Sequence, residues 1–290
     1  MTKKALAIDV GGTKIYHTII DEQGNVCGEI IKHSTPKNLD EMINLFKEIF
    51  SKYENDVDVI AIATAGAVNN ENNKIISSTA NLPKGYNQID FQSFTAKKVF
   101  VENDANSAAW AEHILGASKN CAYSVMLTLG TGVGGGVILN NKLYKGKSGG
   151  AGEMHFKIDL GKRRRCTCGL WDCFEAYASG TGLKVTAEEI LNDKSVTTYD
   201  VIDGMKNGDK KMQEVFDTWQ NHIKAGLIGL ANLFDPDCFV MSGSMAEFVD
   251  TDYLEKSVNA EIVTMPVKVY KATTGNHAGM LGVALLALNG

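Results

Sequence analysis

One pattern, present twice, constrains this chain more than any other. An apolar, β-prone run at residues 5–10 closes on Gly11 and Gly12, and a second strand pattern follows at 15–20. About 120 residues later the order returns, with a strand at 124–129, a glycine-rich corner at 130–136 and a return strand at 137–139. Such a repeat predicts two similar α/β halves with a cleft between them. The expected boundaries are 1–115 plus 277–290 for one half and 116–276 for the other. A chain of 290 residues can bury roughly three quarters of its unfolded surface, enough for two cores.

The rest of the chain follows the α/β pattern. Residues 26–32 predict a third strand after a D-E-Q-G-N turn, so the chain opens as an antiparallel meander. Asn38 then heads a capping-box-like start, and Leu39, Met42, Ile43, Phe46, Ile49 and Phe50 recur at helical spacing. Residues 57–64 read as a strand buried on both faces, and 98–101 as another, followed by a helix at 105–115. The second half predicts helices at 181–191 and 210–233, a strand at 238–242 and a helix start at 243–248. A last strand at 267–271 precedes a terminal helix at 278–288 that packs back on the first half.

The two corners carry the first chemistry. In D-V-G-G-T-K, Asp9 ends a strand and Gly11, Gly12, Thr13 and Lys14 form the turn. Backbone amides in such a turn can hold phosphate oxygens, and Asp9 can hold hydrated Mg²⁺. Residues 130–136, which open on Gly130, Thr131 and Gly132 and continue through Gly134, Gly135 and Gly136, offer the same chemistry from the facing half. No G-x-x-x-x-G-K-[ST] occurs, so neither corner is a P-loop. One corner alone would be a hairpin turn; two that match point to a phosphate clamp.

Glu102, Asn103 and Asp104 lie where an apolar strand gives way to a helix. Acids there can be helix caps, yet the carboxyl end of a strand is also where open α/β sheets bind ligands. With phosphate held opposite, Asp104 becomes a candidate base for a substrate hydroxyl, and Asn103 can hydrogen-bond a hydroxyl-rich ligand.

His155, Cys166, Cys168 and Cys173 form a His-Cys₃ set. These ligands at this spacing suit a closed tetrahedral zinc with a structural role, whose fold would hold Glu153 and Glu175 at a ligand. The alternative is three free thiols within eight residues. Too few cysteines remain for a disulfide scaffold, which favours a reducing compartment. Lys162, Arg163, Arg164 and Arg165 run together inside this knuckle. They read either as a nucleic-acid contact or as a solvated loop offsetting local acids. A net charge of −5 favours the loop and argues against a general polyanion binder. The first residues are too short for a signal sequence and the longest late apolar run is about half a membrane span, so a cytoplasmic protein with no membrane partner is expected.

D-V-G-G-T-K, E-N-D-A-N, L-G-T-G-V-G-G-G and H-x₁₀-C-x-C-G-x₃-C-x-E, in this order, resemble the ROK family of sugar kinases and repressors across essentially the whole chain. The resemblance implies an actin-like, ribonuclease H-like ATPase fold, usually dimeric, with ATP and a sugar in the interdomain cleft. It implies Asp104 as catalytic base and Gly66, Asn81, Asn103, Glu153, His155 and Glu175 as sugar-binding positions. It puts the phosphates at residues 9–14 and 130–132 and the adenosine at the turn from Gly243. Two departures stand out. Glu153, Met154 and His155 are one residue shorter than the family's E-x-G-H, and Asp172 stands where the family has glycine. The strand at Ala5 leaves no room for a preceding helix-turn-helix, so an enzyme is expected over a repressor. Overall likeness favours N-acetylmannosamine, phosphorylated at its 6-hydroxyl, over glucose, N-acetylglucosamine and fructose. A non-catalytic sugar-sensing or nucleic-acid-binding regulator is the rival class.

Overall fold

The computed structural model describes residues 2–79 and 81–289. Its first sheet has the order β3-β2-β1-β4-β5, formed by β1 (Lys4–Val10), β2 (Lys14–Asp21), β3 (Ile31–Ser34), β4 (Val59–Thr64) and β5 (Lys98–Asn103). The helices α1 (Leu39–Tyr53) and α2 (Asp104–Ile114) belong to this half of the sequence. A second sheet of order β10-β9-β6-β7-β8 repeats the arrangement with β6 (Ser124–Leu129), β7 (Val133–Leu139), β8 (Lys142–Leu143), β9 (Cys238–Ser242) and β10 (Lys268–Lys271). In each sheet the leading strand pairs antiparallel with the next and parallel with a later one: β1 with β2 and β4, β6 with β7 and β9. The twofold pattern in the sequence is therefore a duplicated sheet.

The second half also carries α3 (Glu175–Ala178), α4 (Gly180–Leu191), α5 (Thr198–Lys206), α6 (Lys210–Phe234) and α7 (Thr251–Asn259), and the chain ends in α8 (Ala278–Asn289). Helices α2 and α8 pack on each other between the sheets, α2 against β7 and α8 against β1 and β4. Ala105 and Ala109 of α2 explain two of the three glycines of β7, and Met154 the third, Gly135. A Cβ at Gly134 would lie 3.3 Å from that of Ala105, and one at Gly136 would lie 2.5 Å from that of Ala109. Only glycine lets the helix sit this close to the strand. These residues are strand, not corner, so the second corner is confined to residues 130–132.

Three other expectations need correction. The third strand lies at Ile31–Ser34, and residue 26 makes only an isolated bridge to Ile20, because residues 21–25 are tied into a turn by the Asp21 carboxylate. Residues 243–248 form turns rather than a helix; Gly243 is left-handed (φ 87°), which stops the chain from winding. Helices α5 and α7 were missed. α5 has a full capping box between Thr197 and Asp200, the signal that could have found it.

Candidate functional site

A cleft of about 550 Å³ opens between the two sheets. Asp9 reaches it from the end of β1 and Asp104 from the first residue of α2, with the turn after β9 (Ser242, Gly243, Ser244) opposite. Burial, and then the charge of Asp104, raises the Asp9 carboxyl to about 7. Burial likewise holds Asp104 above the ordinary carboxylate range, against the opposing hydrogen bond from the Ala105 amide. Two buried acids in one cleft, the charge of Asp104 raising the proton affinity of Asp9, favour a cation or a transferable proton there. Asn103, not Asp104, is the N-cap of α2: its Oδ1 accepts from Asn106 N at 2.9 Å, while its Nδ2 donates to Gly66 O at 3.0 Å. The cap is thus satisfied without Asp104, whose carboxylate lines the cleft.

The corners adjoin this cleft without lining it. In each, the first glycine amide closes the turn, Gly11 N onto Lys14 O and Gly130 N onto Gly132 O, both at 3.0 Å. The amides of Gly12, Thr13, Thr131 and Gly132 donate to no described residue, so two N–H groups per corner are available to an anion. Neither Gly12 nor Gly132 is left-handed, and their requirement is space. A Cβ on Gly12 would lie 2.6 Å from that of Asn81, and one on Gly132 would strike Glu175 Oε2. Gly66 and Gly243, by contrast, are left-handed and pass directly over backbone carbonyls, of Ser77 and Leu129. Lys14 and Thr13 are exposed at the rim.

Glu153, His155 and Glu175 come together. His155 Nδ1 is 3.7 Å from Glu153 Oε2 and its Nε2 is 3.9 Å from Glu175 Oε2. Met154, between them, is buried against Gly135 and anchors the segment, so its neighbours emerge on the same side. The shortened E-M-H segment therefore still pairs its acid with its imidazole. Glu175 is also tied to the start of β7, just after the second corner, accepting from Val133 N at 3.0 Å, and to the knuckle, accepting from Thr167 Oγ1 at 2.7 Å.

Candidate ligand atoms of His155, Cys166 and Cys168 lie within 4.8 Å of one another, and Cys173 Sγ is 3.6 Å from Cys168 Sγ. Thiolates on a tetrahedral zinc at about 2.3 Å are separated by about 3.8 Å, so the donors fit that ion in type, and the Cys168–Cys173 pair fits it in spacing, while Cys173 lies outside the cluster formed by the other three. Asp172 is left-handed (φ 63°), which explains how it replaces a glycine. Its carboxylate offsets the strain by accepting from Arg163 Nε, Arg164 N and Tyr177 Oη. Of the basic run, Arg164 is buried on Glu189 at 2.9 Å, Arg163 pairs with Asp172 and Lys162 lies 3.9 Å from Glu189. Three of the four cations thus offset acids of their own half.

Sequence reasoning missed Thr128, Lys271, Gly275 and Asn276 in the cleft, and also the buried Glu112 and the half-buried Lys145. Among the described residues no helix is long and apolar enough to cross a membrane.

The family model described as "ROK family" matches residues 5–289. The glucokinase of Streptomyces coelicolor is 31% identical, over 97% of this chain and 96% of its own. The N-acetylmannosamine kinase of Yersinia pseudotuberculosis is also 31% identical, over 98% of each chain. Among solved structures, a ROK family glucokinase from Streptomyces griseus, in complex with glucose and AMPPNP, matches with a TM-score of 0.80 and 29% identity over the whole of both chains. The two-sheet architecture is therefore the actin-like ATPase fold of the kinases it resembles.

Proposed function

The chain belongs to the ROK family and is a sugar kinase, and we propose that it transfers the γ-phosphoryl group of ATP to the 6-hydroxyl of N-acetylmannosamine. The observation that carries the chemistry is the pair Asp9 and Asp104, from two different elements, in one interdomain cleft. Asp104 takes the proton of the sugar hydroxyl as that oxygen bonds to phosphorus and the bond to ADP breaks. Its raised pKa suits a base that must first be ionised and then hold a proton. Catalysis of phosphoryl transfer is mostly positioning and charge neutralisation. The free amides of Gly12, Thr13, Thr131 and Gly132 supply both to the phosphates.

Asp9 would hold the Mg²⁺ that accompanies ATP, and that ion would neutralise charge on the phosphates. The sugar sits at Glu153, His155 and Glu175, with Asn81, Asn103 and Gly66 on the facing wall. Zinc at His155, Cys166, Cys168 and Cys173 would lock the knuckle and with it Glu175. The turn from Gly243 receives the adenosine.

Full-length likeness to an N-acetylmannosamine kinase supports the amino sugar. Glucose is the second reading, supported by the equal identity to a glucokinase. Coupled ADP release with N-acetylmannosamine, N-acetylglucosamine, glucose and fructose under one Mg-ATP concentration decides between them. A tenfold advantage of glucose in kcat/KM, about 1.4 kcal/mol, overturns the amino-sugar assignment and leaves the kinase intact.

A further inference from the structure

Glu112 is buried, 1% exposed, and no described cation pairs with it. Its carboxylate instead gathers five hydrogen bonds. Oε1 accepts from Thr273 N at 2.8 Å, Thr274 N at 2.7 Å and Thr274 Oγ1 at 2.6 Å. Oε2 accepts from Ala117 N at 2.7 Å and from Thr273 Oγ1 at 3.3 Å. Burying a carboxylate is costly unless such donors replace water, and bonds to a charged acceptor are the strong ones. Gly116 is glycine because a Cβ there would strike Oε2. The sequence thus commits several residues to one carboxylate.

What the carboxylate holds faces the cleft. Ala272, Gly275 and Asn276, around the two threonines, line its wall. The same segment leads into the first turn of α8, where the Cβ position of Gly279 is 3.3 Å from Asp9 Oδ2. Glu112 and Asp104 lie eight residues apart on α2, about 12 Å along its axis. One rigid helix therefore carries the candidate base at its start and the anchor of the opposite wall near its end.

We infer that Glu112 is a positioning residue for the nucleotide: it sets segment 272–276 against the cleft and so governs ATP affinity, with little effect on the chemical step. This rests on reading the cleft as the nucleotide site. Glu112→Gln replaces one acceptor with an amide donor that faces N–H groups, so the segment must shift. The test is calorimetric titration of a non-hydrolysable ATP analogue into wild type and Glu112→Gln, followed by steady-state kinetics. The analogue should bind at least tenfold more weakly to the variant. KM for ATP should rise equally, while sugar KM and kcat stay within threefold, a split that general destabilisation would not produce. Thr274→Val removes a single O–H donor and is the reporter if Glu112→Gln does not fold; it should weaken binding about threefold or more. Nucleotide affinity within twofold of wild type in a folded variant overturns the inference. A wild type that binds the analogue yet phosphorylates no sugar overturns the kinase reading alone, since the binding comparison still stands.

Discussion

Lys145 Nζ lies 2.8 Å from Glu102 Oε2, and this ion pair joins the two halves of the molecule. Glu102 is the penultimate residue of β5 and is 1% exposed, whereas Lys145 follows β8 and also donates to Asn69 O. Asn72 Nδ2, Asn106 Nδ2 and the Asn103 N–H also donate to the Glu102 carboxylate, and Asn70 Nδ2 crosses to Gly146 O and Lys147 O at 3.0 Å. Removing the lysine leaves a buried carboxylate short of its cation. Lys145→Met should cost about 3 kcal/mol in urea unfolding, and adding Glu102→Gln should recover part of that loss. A purely additive double mutant would show that the pair is not coupled.

Asp104→Asn keeps the size of the side chain and the bond to the Ala105 amide but removes the base. kcat should fall about 10²-fold or more with sugar binding retained, read by initial rates and by titration of the sugar. Near-normal turnover would reassign the base.

Gly132→Val should damage two ligands at once. The new side chain meets Glu175 Oε2, which also accepts from Val133 N and faces His155. Sugar KM and ATP affinity should both worsen, each by about tenfold or more, since steric contacts under van der Waals distance must displace one partner. An effect confined to ATP would place Glu175 outside the sugar site.

Metal analysis of the purified chain should find one zinc per molecule. Cys168→Ser should lose it, lower the thermal midpoint by several degrees and raise sugar KM before nucleotide binding fails. Full activity in metal-free protein would contradict a zinc that shapes the sugar site.

Stability should fall in mild acid. Burial, and then the neighbouring His33 and Lys52, lowers the pKa of His17 to about 4, and burial with Arg164 lowers that of His222 to about 4. Both recover a value near 6.5 on unfolding, so between these limits the unfolded chain binds more protons. The stabilisation is fully present above pH 6.5 and is lost as pH falls towards 4. At pH 5 it amounts to about 1–2 kcal/mol for each residue. The urea midpoint at pH 7 and pH 5 reads it, and His17→Gln should remove about half of the difference, leaving the share of His222. An equal midpoint at both pH values would mean these rings charge freely in the fold.

Local chemistry was legible in the sequence wherever neighbours along the chain do the work. The two glycine corners, the strand-to-helix step at Asp104, the cysteine spacing and the duplicated strand order are all short-range patterns, and the strand order and the step at Asp104 lie where their patterns predicted. Tertiary structure decided what approaches from far away. Gly134 and Gly136 read as phosphate loop because glycine looks the same whether it makes room for an anion or for a helix. Only the packing of α2 on β7 distinguishes the two. Glu112 looked like any acid on a helix, and its five donors come from segments 5 and about 160 residues away. A carboxylate carries the same formula exposed or buried. Its role is set by the water it loses and the N–H groups that replace it, and only the folded chain determines both.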